Sequence, residues 1–502
     1  MPPTEREPLL PLPSTPPPRG DHPITWSRAY KYFVVLLLAF QAFTVTFTCI
    51  SVVPVANTII ADLSPSVPAG KLKASSVLLV TIWELGEAAG PLLIAPLSEL
   101  YGRRPVYNVA NLLFIASVAG SAFAPSAEVL IAARFMTGVA VAGNVLNPAI
   151  VGDVFGPESR GSAMSILMLA PLLGGAVGPA IAGAIAQSAG WREIMYMALA
   201  LAVGCELLFL TLFKETYGVV IERERRRAEG NVEEEEERGA TGDEEVAVAK
   251  KVARGGSALW LSVLRPARVF YSSAVLQIMS LYGGLSFTFF YTMSTTLPDI
   301  LATRYSLSPA LVGVSFLSFS RSKSLEQNTL YTTLTQAGVG SFIAIIVTNQ
   351  ILDRIHLKLK SSEDATSAPA NRLPLMIFGA IILPLVVALY GWAAELILPL
   401  PVMLISVSIL GFAVLTTIVS LMAYIVDAFG IYSASALTSQ LVIRCLLGTF
   451  LPLLTPLLTD AVGWGWGFTI LAAVCLVLAP VPVLVFWYGR QWRQGSEYTK
   501  DA

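Results

Sequence analysis

Between Leu130 and Arg192 two long apolar segments are joined by one short polar turn. An apolar helix of about 20 residues is long enough to cross a bilayer. The first segment carries a single arginine, Arg134. A charge at that depth costs at least ~2.5 kcal/mol, so it demands a partner or a watery cavity. The second carries Gly174, Gly175, Gly178, Pro179 and Gly183. Glycines four and five residues apart give a smooth face for close helix packing, and the proline weakens the backbone there.

The rest of the chain repeats this character. Of 502 residues, 55% are hydrophobic and 13% charged, against about 25% charged in soluble domains. Most of the chain therefore belongs in lipid. A formal net charge of -1 offers nothing to nucleic acid. Cys49, Cys205, Cys445 and Cys475 all lie in apolar runs, and His22 and His356 are far apart. Neither disulfides nor a metal site is expected, and no cofactor. No Asn-x-Ser/Thr acceptor occurs. Pro-rich polar sequence precedes the first apolar run, which argues against a signal peptide.

Residues 1–28 read as a disordered Pro-rich tail, with a partner-binding polyproline segment as the alternative. Apolar spans follow at 30–53, 74–97, 107–124, 128–149, 162–186 and 192–213. A mixed-charge block at 214–268 reads as a solvated linker. A second set occupies 270–296, 309–350, 373–392, 399–424, 434–457 and 467–488, before a tail at 491–502. The expected fold is an all-α integral membrane protein of about twelve spans, in two six-helix bundles at 29–213 and 269–490. Span eight is interrupted by the polar piece 320–337, SRSKSLEQNTLYTTLTQA. Removing it joins its apolar flanks into one span. That suggests a retained intron or gene-model error, with a real insertion as the alternative.

Basic residues set the orientation. With the N-terminus inside, Arg103, Arg104, Arg160, Arg354, Lys358, Lys360, Arg372, Arg490 and Arg493 fall in inner loops. Lys71, Lys73 and Arg304 fall outside, with Arg192 at one border. Both termini are expected in the cytoplasm. The halves also echo each other. Asp153-Val-Phe-Gly156 after span four matches Asp427-Ala-Phe-Gly430 after span ten. Glu99, Arg103 and Arg104 are matched by Asp353, Arg354 and Lys358, the pattern of a parallel repeat.

Four places resemble the major facilitator superfamily, and within it the drug:proton antiporters of about twelve spans common in fungi. GPLLIAPLSELYGRR, Gly90–Arg104, is similar to the loop motif between spans two and three, with Glu99 where an Asp is usual. Arg134 within RFMTG matches the arginine of motif B. Gly174, Gly178, Pro179 and Gly183 match the antiporter motif of span five. AYIVDAFGIYSASAL, Arg444, Pro452 and GWGWG complete the likeness, which covers nearly all of 26–490. The piece 320–337 is foreign to the pattern. The resemblance implies a bend in span five that seals the cavity against proton leak. Packing glycines alone are the plainer alternative.

The residues supply their own chemistry. Gly90 permits close packing of span two, and Gly102 a tight turn. Arg103 or Arg104 can reach Asp153, with Asp427 as its counterpart. Such pairs would latch the outward-facing state and break as the halves rock; simple retention of a basic loop is the alternative. Arg134 continues a face through Thr137, Val141 and Asn144, which suggests proton coupling or cavity polarity rather than a mere tie to a carbonyl. Glu84 and Glu87, three residues apart in span two, share a helical face near mid-membrane. Two acids so close in low dielectric resist double ionisation, as a proton site requires. A helix-packing hydrogen bond from a permanently neutral acid is the alternative. Glu206 in span six is a lesser candidate, nearer the inner end. Tyr282, Phe287, Phe289, Phe290 and Tyr291 enrich span seven, and Tyr282 and Phe289 are candidate cavity aromatics. Arg444 reads as a packing residue of the second half, and Trp464 and Trp466 as an interfacial belt.

No Walker A pattern and no nucleophile–base arrangement is present. The expectation is a monomeric carrier, not an enzyme, which exports small organic compounds in exchange for protons across the plasma membrane. An importer or uniporter of the same fold, or a membrane sensor, are the rivals.

Overall fold

The computed structural model describes residues 23–65, 68–141, 143–222, 257–315, 365–494, 496, 498 and 499. Among them there is no strand. The first half holds α1 (Arg28–Ile50), α2 (Ala56–Leu63), α3 (Ala69–Tyr101), α4 (Arg103–Ala122), α5 (Ala127–Val139), α6 (Gly143–Val154), α7 (Pro157–Ser188) and α8 (Trp191–Leu212). The second holds α9 (Ser257–Ser272), α10 (Ala274–Thr303), α11 (Pro309–Val314), α12 (Leu373–Glu395), α13 (Leu400–Phe429), α14 (Ser433–Phe450), α15 (Leu454–Leu478) and α16 (Val481–Gln494). Nine stretches of the described residues are long and apolar enough to cross a membrane.

Sequence chemistry places the ends. The Ser27 hydroxyl accepts from the Tyr30 N–H and starts α1. Pro157 opens α7, where a missing N–H does no harm. Gly102 and Gly190, at φ +98° and +100°, make the sharp turns between α3 and α4 and between α7 and α8. Inside the first half α1 packs along α7, and α3 along α5. In the second, α12 is sandwiched by α13 and α15, and α10 lies on α14. The halves meet where α3 runs along α14 and α7 along α11.

The α3–α5 contact is backbone on backbone. A Cβ on Gly138 would collide with the Trp83 carbonyl oxygen, and one on Gly86 with the Phe135 carbonyl oxygen. Gly90 meets the Val139 carbonyl in the same way, as its place in span two suggests. Gly138→Ala is expected to lower stability by about 1–3 kcal/mol through overpacking. A thermal unfolding scan in detergent reads that loss, and an unchanged melting temperature would mean that the two helices simply part.

Several sequence boundaries need correction. Span four is not one helix: α5 stops at Val139, Val141 N–H bonds the Gly138 carbonyl in a turn, and α6 starts at Gly143. Glycines on both sides of the break favour it. The expected stripe from Arg134 to Asn144 therefore does not follow a single helical face. The span expected at 434–457 ends at Phe450, where Pro452 sits in a short 3-10 turn. Then α15 changes direction at Gly463, φ +83°, and the Glu395 carboxylate accepts from Trp464 N–H at 2.9 Å to restart it.

The tails are shorter than expected. Pro23–Thr25 forms a 3-10 turn with Pro23 buried. At the other end α16 runs to Gln494, and Arg493 is buried, bonded to the Tyr424 hydroxyl at 3.1 Å. Arg493 thus serves packing rather than a loop. The linker is folded at both described ends. Residues 214–222 dock on the first half, and α9 packs on α14, where the Ser439 hydroxyl donates to the Pro266 carbonyl. The interrupted piece 320–337, and Asp353, Arg354 and Lys358, lie outside the described residues.

Candidate functional site

Glu84 and Glu87 stand near the midpoint of the 33-residue α3, 1% and 2% exposed. Their three-residue spacing turns both toward the second half. There Tyr291 of α10 donates its hydroxyl to Glu84 Oε1 at 2.5 Å. Arg444 of α14 brings Nη2 to 3.4 Å from Glu87 Oε1. The guanidinium also lies over the Phe287 ring, 4.5 Å from its centroid. Cys445 Sγ lies with both carboxylates, ligand atoms all within 4.8 Å of one another. A buried pair like Glu87–Arg444 is costly to desolvate and costlier to break. It ties the two halves together near the midpoint of α3.

Other ties continue along the same seam. Thr81 and Thr449 each donate a hydroxyl to the other's carbonyl, at 3.1 and 3.4 Å. Farther along α3, Lys73 pairs with Asp460 of α15 at 2.7 Å. Beside them Gly183 of α7 and Gly313 of α11 are in reciprocal contact. A Cβ on Gly183 would strike the Pro309 carbonyl oxygen, and one on Gly313 the Pro179 carbonyl oxygen. The halves are thus closed toward the Lys73 end. Gly174 and Gly178 meet α1 instead, at Phe43 and Phe47. The helix α7 runs unbroken through Pro171 and Pro179.

At the opposite end Arg103 Nε lies 3.3 Å from Asp153 Oδ2, and Arg103 Nη1 donates to the Ser98 hydroxyl. The Arg103 guanidinium also covers the Tyr217 ring at 4.7 Å. In the second half Arg372 Nε lies 2.8 Å from Asp427 Oδ2. Each pair closes within its own bundle. The expected pairing of Arg103 with Asp153 is present, and it joins neighbouring helices of one bundle. Arg104 donates from its side chain to the Leu210 carbonyl, and Glu99 is exposed at the end of α3. The backbone N–H groups of Arg103 and Arg104 both donate to Glu215, at 2.8 and 3.0 Å, an N-terminal cap for α4.

Arg134 spends its guanidinium on backbone. It donates to the carbonyls of Thr48 (2.8 Å), Cys49 (2.6 Å) and, at 3.4 Å, Leu79. The first two are carbonyls of the last turn of α1, which lacks helical partners. Glu206 accepts from Asn111 Nδ2 at 2.7 Å, and Gln41 links Asn111 to the Cys205 thiol. That network joins α1, α4 and α8 inside the first half, apart from the α3 acids. Asn144 stands one residue into α6. Tyr282 and Phe289, expected to line a cavity, are 3% and 7% exposed in the core of the second half. Trp464 packs on that core too, whereas Trp466 is exposed. A groove of about 420 Å³ runs along α3, α4 and α5, lined by exposed side chains such as Leu93 and Val109. Neither Glu84 nor Glu87 lines it.

The profile of the Major Facilitator Superfamily matches residues 32–448. The chain belongs to the major facilitator superfamily. It is 30% identical over 490 residues to the MFS transporter cpaT of Aspergillus oryzae, covering 95% of this chain and 90% of that one. It is 28% identical to the efflux pump radE of Floropilus chiversii, over 95% and 84% of the two chains. In fold it is similar to a D-xylose-proton symporter, with TM-score 0.66, 16% identity and coverage of 92% and 98%. The xylose transporter XylE from E. coli, in a partially occluded inward-open form, gives TM-score 0.63 at 15% identity, over 92% and 98%. This major facilitator is a multi-pass membrane transporter and not an enzyme.

Three residues of its centre escaped the sequence. The sequence suggests packing within its own half for Arg444, yet it pairs with Glu87 across the seam, 357 positions away. Tyr291 was one aromatic among five. Cys445 carried no signal beyond an apolar run. A charged residue opposite a known acid at the same depth was the clue available, since an arginine in hydrocarbon seeks an anion.

Proposed function

We propose that this major facilitator exports small, mostly apolar organic compounds in exchange for protons, and that Glu84 carries the proton. One observation supports this above all: two buried acids share a single arginine. Glu87 has Arg444, so protonating it would strand a buried cation. Glu84 has a phenol, which bonds a carboxyl in either charge state. Proton arrival at Glu84 changes the charge beside the Glu87–Arg444 tie and so the preference between the two facings of the carrier. Arg134 holds α1 against α3 and keeps the site's wall in register. Arg103–Asp153 and Arg372–Asp427 brace each bundle's inner end, and Gly183 against Gly313 seals the outer side. By the placement of basic residues the Arg103 end faces the cytoplasm. The Arg444 charge already occupies the space beside Glu84, Glu87 and Cys445, which suits a proton site better than a metal. The name of the radE relative, an efflux pump, favours export.

A panel of lipophilic dyes and azoles in a host lacking its own exporters tests the substrate class. Export of a panel member from proteoliposomes should follow an opposing proton gradient. Solute movement indifferent to that gradient would refute coupling, and gradient-driven uptake would reverse the direction.

A further inference from the structure

We propose that Asp299 is an outer proton-binding site that loads Glu84. The inference rests on the coupling role of Glu84. On α10, Tyr291, Thr295 and Asp299 follow at four-residue steps and so share a face. On α3, Glu84, Val80 and Ser76 do the same. Between these faces lies a pocket of about 130 Å³, lined by Ser76, Val80, Thr295, Asp299 and the α2 residues Asn57 and Thr58. A liquid water occupies about 30 Å³, so the pocket can hold several. Its lowest members, Val80 and Thr295, are four residues, about 6 Å of helix rise, from Glu84 and Tyr291. Thr295 donates its hydroxyl to the Tyr291 carbonyl at 2.9 Å and keeps lone pairs for water.

Asp299 is half-buried, whereas Glu84 is sealed, so a proton from outside needs a stop between bulk water and Glu84. The Asp299 carboxylate takes it from the medium, releases it through pocket water to the Glu84 carboxylate and is ionised again. The charged and titratable neighbours of Asp299 are Lys73 from α3, Asp460 from α15 and Tyr390 from α12. The Lys73 ammonium is held by Asp460 and stands by as a counter-charge.

Two measurements on the full-length protein decide the matter without a known substrate. Infrared difference spectra of the protein in lipid nanodiscs are recorded as the medium is acidified, following the C=O stretch of protonated carboxyls. Asp299→Asn should lose one band that wild type gains, and Asp299→Glu should return it at a shifted frequency. A spectrum of Asp299→Asn that superposes on wild type overturns the proposal. Glu84→Gln with Glu87→Gln should remove a different band. If that double variant changes nothing, the coupling role of the α3 acids falls instead. Access is read with a membrane-impermeant maleimide added outside intact cells. The four native cysteines are buried, so labelling of Asp299→Cys is expected against a dark background, with Glu84→Cys protected. No labelling of Asp299→Cys, in a protein that reaches the surface, would equally overturn it.

Discussion

Glu84→Gln removes gradient-driven transport and leaves the fold in place. The amide matches the carboxyl in shape, and its oxygen still accepts from the Tyr291 hydroxyl. What it lacks is a second charge state. A coupling of about 1–3 kcal/mol between proton and solute changes the affinity for solute 5–150-fold, and the variant forfeits that change. It should transport at one rate whether or not the medium is acidified, as though permanently protonated. Solute flux in proteoliposomes, with and without an imposed gradient, reads the loss, alongside a thermal scan to show native stability. Wild-type gradient dependence in this variant would move the proton elsewhere. Tyr291→Phe leaves the carboxyl without its donor and should displace the pH profile without flattening it.

Arg444→Ala should cost stability more than any other change described here. It strands Glu87 as a buried anion, and removing one partner of such a pair costs about 3–5 kcal/mol. The stacking over Phe287 goes as well. Replacing both charges, Glu87→Leu with Arg444→Met, should bring the unfolding temperature most of the way back, because a matched apolar pair avoids the desolvation penalty. It should not restore transport. Thermal unfolding in detergent, followed by intrinsic fluorescence, distinguishes the outcomes. If Arg444→Ala melts like wild type, water already screens the pair and its role as a tie between halves is lost.

Much of the architecture was legible because hydrocarbon is a demanding solvent. Apolar length marks a span, and an ionisable residue inside one stands out, so Glu84, Glu87 and Arg134 were found from the chain alone. What each touches was not. Arg134 binds carbonyls, and backbone carries no sequence label. Arg444 and Glu87 lie 357 positions apart, joined only by the way the halves dock. The break in span four turns on Gly138 and Gly143, which are equally at home in an unbroken membrane helix. The folded ends of the charged linker were hidden by composition. Glu215 looks like one more solvated acid until it is seen to take four backbone N–H bonds, two of them from α4.

The Gly183–Gly313 seam has a mechanical corollary. Interdigitated side chains act as gear teeth, and a gear can shift only by lifting one tooth over the next. Here the surfaces are bare α-carbons against carbonyl oxygens, so there are no teeth. A toothless joint can be watertight and still roll, since tilting one rod on the other disturbs no rotamer and strands no hydrogen bond. Among the described residues, this bare joint between the halves is therefore suited to act as a fulcrum.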